Sequence, residues 1–322
     1  MRAGRDCPLD YRLARDAFAG EPLFDCEALY VVGGLYGNRQ ALSALEKRLI
    51  TEPGARVVFN GDAHWFDRDA EIFQQIEHGL SAHLALRGNV ETELGRADDS
   101  GAGCGCAYPA SVDDGVVERS NAIQLALNHT VQSLPGMAER LAARPSTALV
   151  NVGGQRVAIS HGDEQSLAGW ACSREALTDK PRQQQLDAWL QAQNLQVLAT
   201  SHSCAAAALN LTHGAVINNG AAGLPNFAGG YYGLLSRIAT TPHPAALYRC
   251  QRDGLFIEAL ALNYDHPAFL ADFDRHWPAS SPAALSYRSR ILGAVADQPQ
   301  LALLAGFSLC QSLCALEALT DE

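Results

Sequence analysis

Two kinds of block alternate along this chain. Short apolar runs of a few residues read as strands, and longer segments with apolar positions three and four apart read as helices. A run at 29–33 precedes a helical segment at 40–49; a second run at 56–60 precedes a helical segment at 69–77; a third run follows at 83–87. This βαβα opening predicts a largely parallel sheet. Residues 97–105 are small, polar and Gly-rich and read as a loop. Residues 122–143 read as helix, broken at Pro135-Gly136, and 148–160 read as a hairpin turning at Gly153-Gly154. A helix at 182–193 leads into a strand ending at Ser201, with further strands expected at 215–217, 233–239, 246–251 and 255–260. Before residue 29 only 11–19 has a helical pattern. From Pro282 onward the chain reads as all-helical, with Pro299 between two helices and the apolar stretch 301–316 as a buried or partner-facing helix.

Four of the apolar runs end in a short polar loop that carries a metal-ligating residue type. Asp62 follows Val57-Val58-Phe59-Asn60-Gly61, and Asn89 follows Leu84-Ala85-Leu86-Arg87-Gly88. His161 follows Val157-Ala158-Ile159-Ser160, and His202 follows Val197-Leu198-Ala199-Thr200-Ser201. Strands that end at one rim of a sheet bring such distant residues together. A carboxylate, an amide oxygen and two imidazoles then make a mixed O/N set for a divalent ion. Taken singly, each residue reads equally well as a turn former or a satisfied buried side chain; their shared strand-end placement is what points to a metal.

In order, these blocks resemble the calcineurin-like metallophosphoesterase superfamily, whose motifs run D-x-H, G-D, G-N-H-[DE], a lone H and G-H-x-H. The chain departs from that pattern in three blocks. The first is Gly34-Leu35-Tyr36-Gly37-Asn38, with Gly34 and Tyr36 at the family's Asp and His. The third is Gly88-Asn89-Val90-Glu91, with Val90 at the family's His, and the last is Ser201-His202-Ser203-Cys204, with Cys204 at its final His. The segment Asn218-Asn219-Gly220-Ala221-Ala222-Gly223-Leu224-Pro225 and the Arg87-Gly88-Asn89-x-Glu91 block resemble the branch of bacterial phosphodiesterases, dinucleoside tetraphosphatases and Ser/Thr phosphatases.

The resemblance implies an α/β fold, a four-layer αββα sandwich with two mixed β-sheets. It would occupy residues 28–263, between an N-terminal extension (1–27) and a C-terminal helical segment (264–322). It implies a metal-dependent phosphoesterase-like hydrolase in which an activated water attacks a phosphate ester. One metal position is intact, at Asp62, Asn89, His161 and His202, and a second is altered. The ion would be Mn, Fe, Zn or Ni, with one expected and room for two.

With Val90 unable to carry a proton, His64 is a candidate acid or base, or else a residue of an irregular loop. Arg68 and Arg87 are candidate anion contacts, or solvated or salt-bridged arginines. Trp65 and Trp170 are candidate pocket walls or core residues. Cys104, Cys106 and Cys204, with Tyr36, could rebuild the altered position as a sulfur-rich site that prefers zinc. Cys104 and Cys106 are alternatively a redox pair or small buried residues. Cys310 and Cys314, four apart, read as helix core. Two other functions compete with the hydrolase: a catalytically degenerate binding protein for a phosphorylated ligand or partner, and a metal-thiolate enzyme.

Composition narrows the partners. The chain has 322 residues, 48% hydrophobic, enough for a sizeable core, and a net charge of −11. A diffuse acidic balance argues against a nucleic-acid or membrane surface. A small phosphorylated substrate stays compatible, because a bound cation sets the local field. Nine scattered cysteines, an odd number, favour a reducing compartment. The N-terminus shows no signal-peptide pattern. The stretch 301–316 is short for a bilayer span and is interrupted by Ser308, Gln311 and Ser312. A cytoplasmic location is expected, with the C-terminal helices as a candidate surface for homo-oligomers.

Overall fold

The computed structural model describes residues 2–98 and 100–310. Its strands, in chain order, are β1 (Asp25–Cys26), β2 (Ala28–Val32), β3 (Arg56–Asn60), β4 (Leu84–Leu86), β5 (Thr147–Val152), β6 (Gln155–Ser160), β7 (Val197–Thr200), β8 (Ala207–Asn210), β9 (Ala215–Asn218), β10 (Gly233–Ala239), β11 (Ala246–Arg252), β12 (Leu255–Leu262), β13 (Leu303–Ala305) and β14 (Ser308–Leu309). The helices are α1 (Arg39–Thr51), α2 (Ala70–Leu80), α3 (Asn89–Leu94), α4 (Asp114–Gln132), α5 (Met137–Ala142), α6 (Arg174–Thr178), α7 (Lys180–Ala192), α8 (His266–His276) and α9 (Pro282–Ile291).

These strands form two mixed sheets, ordered β1-β5-β6-β7-β9-β8-β13 and β14-β11-β12-β10-β2-β3-β4. Side-chain alternation explains the layering. Leu29, Val31 and Val58 of the second sheet meet Val150, Val157 and Ile159 of the first in one core between the sheets. The intervening Tyr30, Val32, Val57 and Phe59 face outward, where Leu42 and Leu45 of α1 and Ile76 and Leu80 of α2 cover them. On the other side, Leu149, Ala158 and Leu198 pack under Leu186 and Leu190 of α7. The strands are buried on both faces, so they read as near-continuous apolar runs. The architecture is the expected αββα sandwich.

Three local expectations are corrected. Residues 11–19 are not a helix: a 3₁₀ turn (Leu9–Tyr11) is followed by turns. This segment is instead pinned to the loop after β6, where Leu13 N donates to Gln165 O and Leu167 N to Tyr11 O. α4 starts at Asp114, capped by the Asp113 side chain, well before residue 122. The tail is not all-helical. After α9 and a 3₁₀ turn (Pro299–Ala302), β13 pairs with β8 and β14 with β11, so the tail borders each sheet. Exposed sheet edges offer that apolar run unpaired N–H and C=O groups, which outweigh its helical composition. Cys310 follows β14, while Cys314 and the rest of 311–316 lie outside the described residues. Among the described residues, no helix is long and apolar enough to cross a membrane.

Candidate metal centre

Each sheet delivers two of the four predicted ligands. Asp62 follows β3 and Asn89 follows β4, parallel neighbours in the second sheet; His161 follows β6 and His202 follows β7, parallel neighbours in the first. Asn60, the last residue of β3, ties the sheets together there. Its Nδ2 donates to Ser160 O and to Ser201 Oγ, both at 2.9 Å. Glu91, fully buried, organises the two oxygen-bearing loops. Its carboxylate accepts from Asp62 N (2.9 Å), Ala63 N (2.7 Å) and Gly88 N (2.8 Å). Gly61 and Gly88 let these loops touch: a Cβ on Gly61 would sit 2.5 Å from Gly88 N, and one on Gly88 would overlap the Asp62 carboxylate. Asp62 itself holds φ 53°, in the left-handed region that non-glycine residues rarely occupy.

The donor atoms converge. His161 Nε2 lies 3.3 Å from Asp62 Oδ2, 3.3 Å from Asn89 Oδ1 and 3.1 Å from His202 Nδ1. Atoms bound to one cation at about 2.0–2.2 Å stand about 3–3.5 Å apart, so the spacing fits a single ion. The hydrogen-bond partners fix which atoms carry protons. His161 Nδ1 faces Asn60 O at 2.8 Å and His202 Nε2 faces Cys106 O at 3.0 Å; a carbonyl only accepts, so both of those nitrogens donate. In the neutral rings, His161 Nε2 and His202 Nδ1 are then bare lone pairs. Asn89 Nδ2 donates to Cys104 O at 2.9 Å, which leaves Oδ1 toward the cluster. While His161 is neutral, four acceptor atoms point at one another. The oxygen and imidazole donors suit a divalent cation.

The charges agree. Burial pushes the Asp62 carboxyl up, but the charge and hydrogen bond of His161 outweigh it, and the net direction is down. Burial pushes His161 down, yet Asp62 holds it above the ordinary imidazole value. Burial, reinforced by repulsion from His161, lowers His202 to about 4. A proton on His161 can satisfy one neighbour at a time; a cation satisfies all four.

The remaining predicted residues go elsewhere. Tyr36 and Cys204 meet each other, Oη to Sγ at 2.6 Å, both with positive φ. Burial raises the pKa of both groups, so the contact joins a neutral phenol and a neutral thiol. Cys104 and Cys106 are buried, and Cys106 Sγ lies 3.5 Å from the Asn89 amide nitrogen, on the side away from the cluster. Among the described residues the gathered ligand group is Asp62, His161 and His202, with no thiol in it. His64 is fully buried between Asp67 (2.6 Å) and Glu77 (2.8 Å) and stacked on Phe73. With both ring nitrogens engaged by carboxylates, it has none left for a substrate. Arg68 stacks on Trp277, and Arg87 donates to Ala142 O at 2.8 Å.

A cavity of about 340 Å³ opens beside the cluster, lined at its base by Asp62, Asn89 and His202. Trp65 and Trp170 are both in its wall, with Tyr108, Tyr287 and Val90; Arg68, Arg87 and His64 are not. Among the described lining residues the one arginine is Arg119 of α4, whose Nε donates to Ser286 Oγ of α9 at 2.7 Å. Sequence reasoning missed Arg119 because an arginine on an amphipathic helix looks like any solvated one. No local signal distinguishes it; only the docking of α9 places it at the site.

No family model and no curated relative matches the sequence. Solved structures do match. A hypothetical protein, PH1004, from Pyrococcus horikoshii OT3 aligns over 80% of this chain and 97% of its own, with a TM-score of 0.55 and 13% identity. A metallophosphoesterase from Sphaerobacter thermophilus aligns over 83% of this chain and all of its own, with a TM-score of 0.51 and 14% identity. The chain shares its fold with these two proteins, one of them a metallophosphoesterase. At such identity the likeness concerns the fold, and the chemistry of this metallophosphoesterase-fold chain has to be argued from its own residues.

Proposed function

We propose that this chain is a metal-dependent phosphoesterase working with one ion held by Asp62, Asn89, His161 and His202. The observation that carries the reading is the meeting of a carboxylate oxygen, an amide oxygen and two imidazole nitrogens at one point, where a proton on His161 serves one neighbour at a time. When bound, a divalent ion supplies Lewis acidity, polarising a phosphoryl oxygen and making water nucleophilic near neutrality. The protein's part is positioning. Glu91 holds the Asp62 and Gly88 loops in register. Asn60 O and Cys106 O fix the tautomers of the two histidines, as carbonyl partners do for ligating imidazoles. The aromatic wall limits water, and Arg119 places positive charge beside a phosphoryl group. The Tyr36–Cys204 pair takes up the altered second position, so a single ion is the working complement.

Elemental analysis of the purified protein tests the metal, and a phosphoester screen with Mn, Zn, Fe and Ni tests the chemistry. About one ion per chain is expected, with Asp62→Asn lowering both metal content and turnover by about a hundredfold or more. Turnover indifferent to Asp62→Asn would remove the proposal.

A further inference from the structure

The cavity beside the cluster is walled by rings, Trp65, Tyr108, Trp170 and Tyr287, and the polar atoms of its wall are largely engaged within the protein. The Tyr108 hydroxyl lies 3.1 Å from Ser120 Oγ, and Trp170 Nε1 donates to Cys106 O at 2.9 Å. Ser203 Oγ accepts from Asn218 Nδ2 at 3.1 Å, and Ser286 Oγ accepts from Arg119. One donor group is left over. Beyond its Nε contact, the Arg119 guanidinium has no carboxylate partner among the described residues. A leaving group rich in hydroxyls would bury them here without partners, which is penalised. A flat ring carrying one anion matches the wall.

Proton supply points the same way. Apart from Asp62 and His202, which aim acceptor atoms at the cluster, the described lining holds no carboxylic acid, lysine or histidine, and Val90 is inert. Burial pushes the Tyr108 and Tyr287 phenols up, away from proton donation. An alkoxide needs a proton as it departs; a phenolate, whose conjugate acid has a pKa of about 10, departs with far less help.

We propose that the site takes small aromatic phosphomonoesters, the ring lying among Trp65, Tyr108, Trp170 and Tyr287 and Arg119 pairing with a phosphoryl oxygen. The proposal rests on the phosphoesterase reading above. In the reaction, the water oxygen bonds to phosphorus while the bond from phosphorus to the aryl oxygen breaks, its electron pair leaving with the phenolate. The proton released by water reaches the phenol through solvent, and inorganic phosphate remains. A cavity of about 340 Å³ is at the low end for ligand sites and suits one ring plus a phosphoryl group.

Calorimetric titration of the Mn-loaded full-length protein with phenylphosphonate and with 2,3-dihydroxypropylphosphonate reads this selection without turnover. Phenylphosphonate is expected to bind about tenfold or more tightly than its hydroxylated counterpart, and Trp170→Ala to erase most of the difference. Arg119→Met is expected to weaken both phosphonates by about tenfold, and Arg119→Lys, which keeps the charge, to recover part of that loss. Equal affinity for the two phosphonates, or wild-type binding by a folded Arg119→Met protein, overturns the proposal. Turnover of phenyl phosphate and glycerol phosphate separates it from the reading beneath. Glycerol phosphate hydrolysed as fast as phenyl phosphate overturns the aromatic preference and leaves the hydrolase standing. Ring-selective binding with turnover of neither ester overturns the hydrolase and leaves ring selection in place.

Discussion

Two buried histidine clusters share the loop after β3, which gives Asp62 to one and His64 to the other, and they are built on different principles. Around His161 every neighbouring atom is an acceptor: Asp62 Oδ2, Asn89 Oδ1 and His202 Nδ1 surround Nε2. Around His64 the polarity is complementary. The ring, held protonated, can donate to Asp67 and Glu77, and Arg144 also pairs with Glu77. Burial pushes His64 down, but the two carboxylates more than reverse it, to about 9, while Glu77 falls to about 2 against its own burial because of His64 and Arg144. The first cluster gathers lone pairs around one point; the second contains its own cation. Whether a buried histidine is a ligand or a strut depends on where its lone pairs point, and residue type alone carries no such information.

The largest expected contrast comes from deleting each ring's role. His64→Ala leaves Asp67 facing a void without its cation and Glu77 with Arg144 alone. It should cost about 3–5 kcal/mol in a denaturant melt while leaving metal content unchanged. Loss of the ion in that variant, with stability intact, would reverse the assignment of the two clusters.

Titration sharpens the same contrast. His64 has its folded pKa raised above the ordinary 6.5, so its contribution to stability is fully present below about 6.5 and is lost as pH rises through about 9. Melting temperature should therefore fall across that window, and His64→Asn should flatten the fall. Glu77 works in the other direction: its contribution is present above its ordinary 4.5 and fades as pH drops toward about 2. A smaller effect is expected from Glu91→Gln. The new amide turns donors toward backbone N–H groups that need an acceptor, loosening both oxygen-bearing loops. Metal affinity measured by competition with a chelator should drop about 10- to 100-fold. Smallest is Tyr36→Phe, which removes one contact to Cys204 and should cost about 1 kcal/mol with metal stoichiometry unchanged. A second ion lost in that variant would show that the phenol is a ligand.

Parts of the fold were legible because the controlling interactions are local. The strand at 56–60 and the Gly-Gly hairpin follow from apolar runs punctuated by turn residues, and the structure has them as β3, β5 and β6. The apolar tail was misread because helix and edge strand share its composition, and only the free edges beside β8 and β11 choose between them. β8 was overlooked for a related reason: Ala207, Ala208 and Leu209 carry little strand preference, and the antiparallel register with β9 organises them. At the site, Asp62, Asn89, His161 and His202 are legible as candidates because each follows an apolar run, while the meeting of their donor atoms is a tertiary outcome. The role of His64 as a strut is not legible, since its partner Glu77 comes from α2.

What the letters alone determined is most of the central strands and the candidate chemistry at their ends, because apolar runs and the turn residues that bound them are written at short range. The tertiary structure decided which of those groups share a point, which are neutralised by a neighbour and which wall faces them. Those outcomes depend on the orientation of lone pairs and N–H bonds across two sheets and the docked α9, and no stretch of sequence records an angle between elements so far apart.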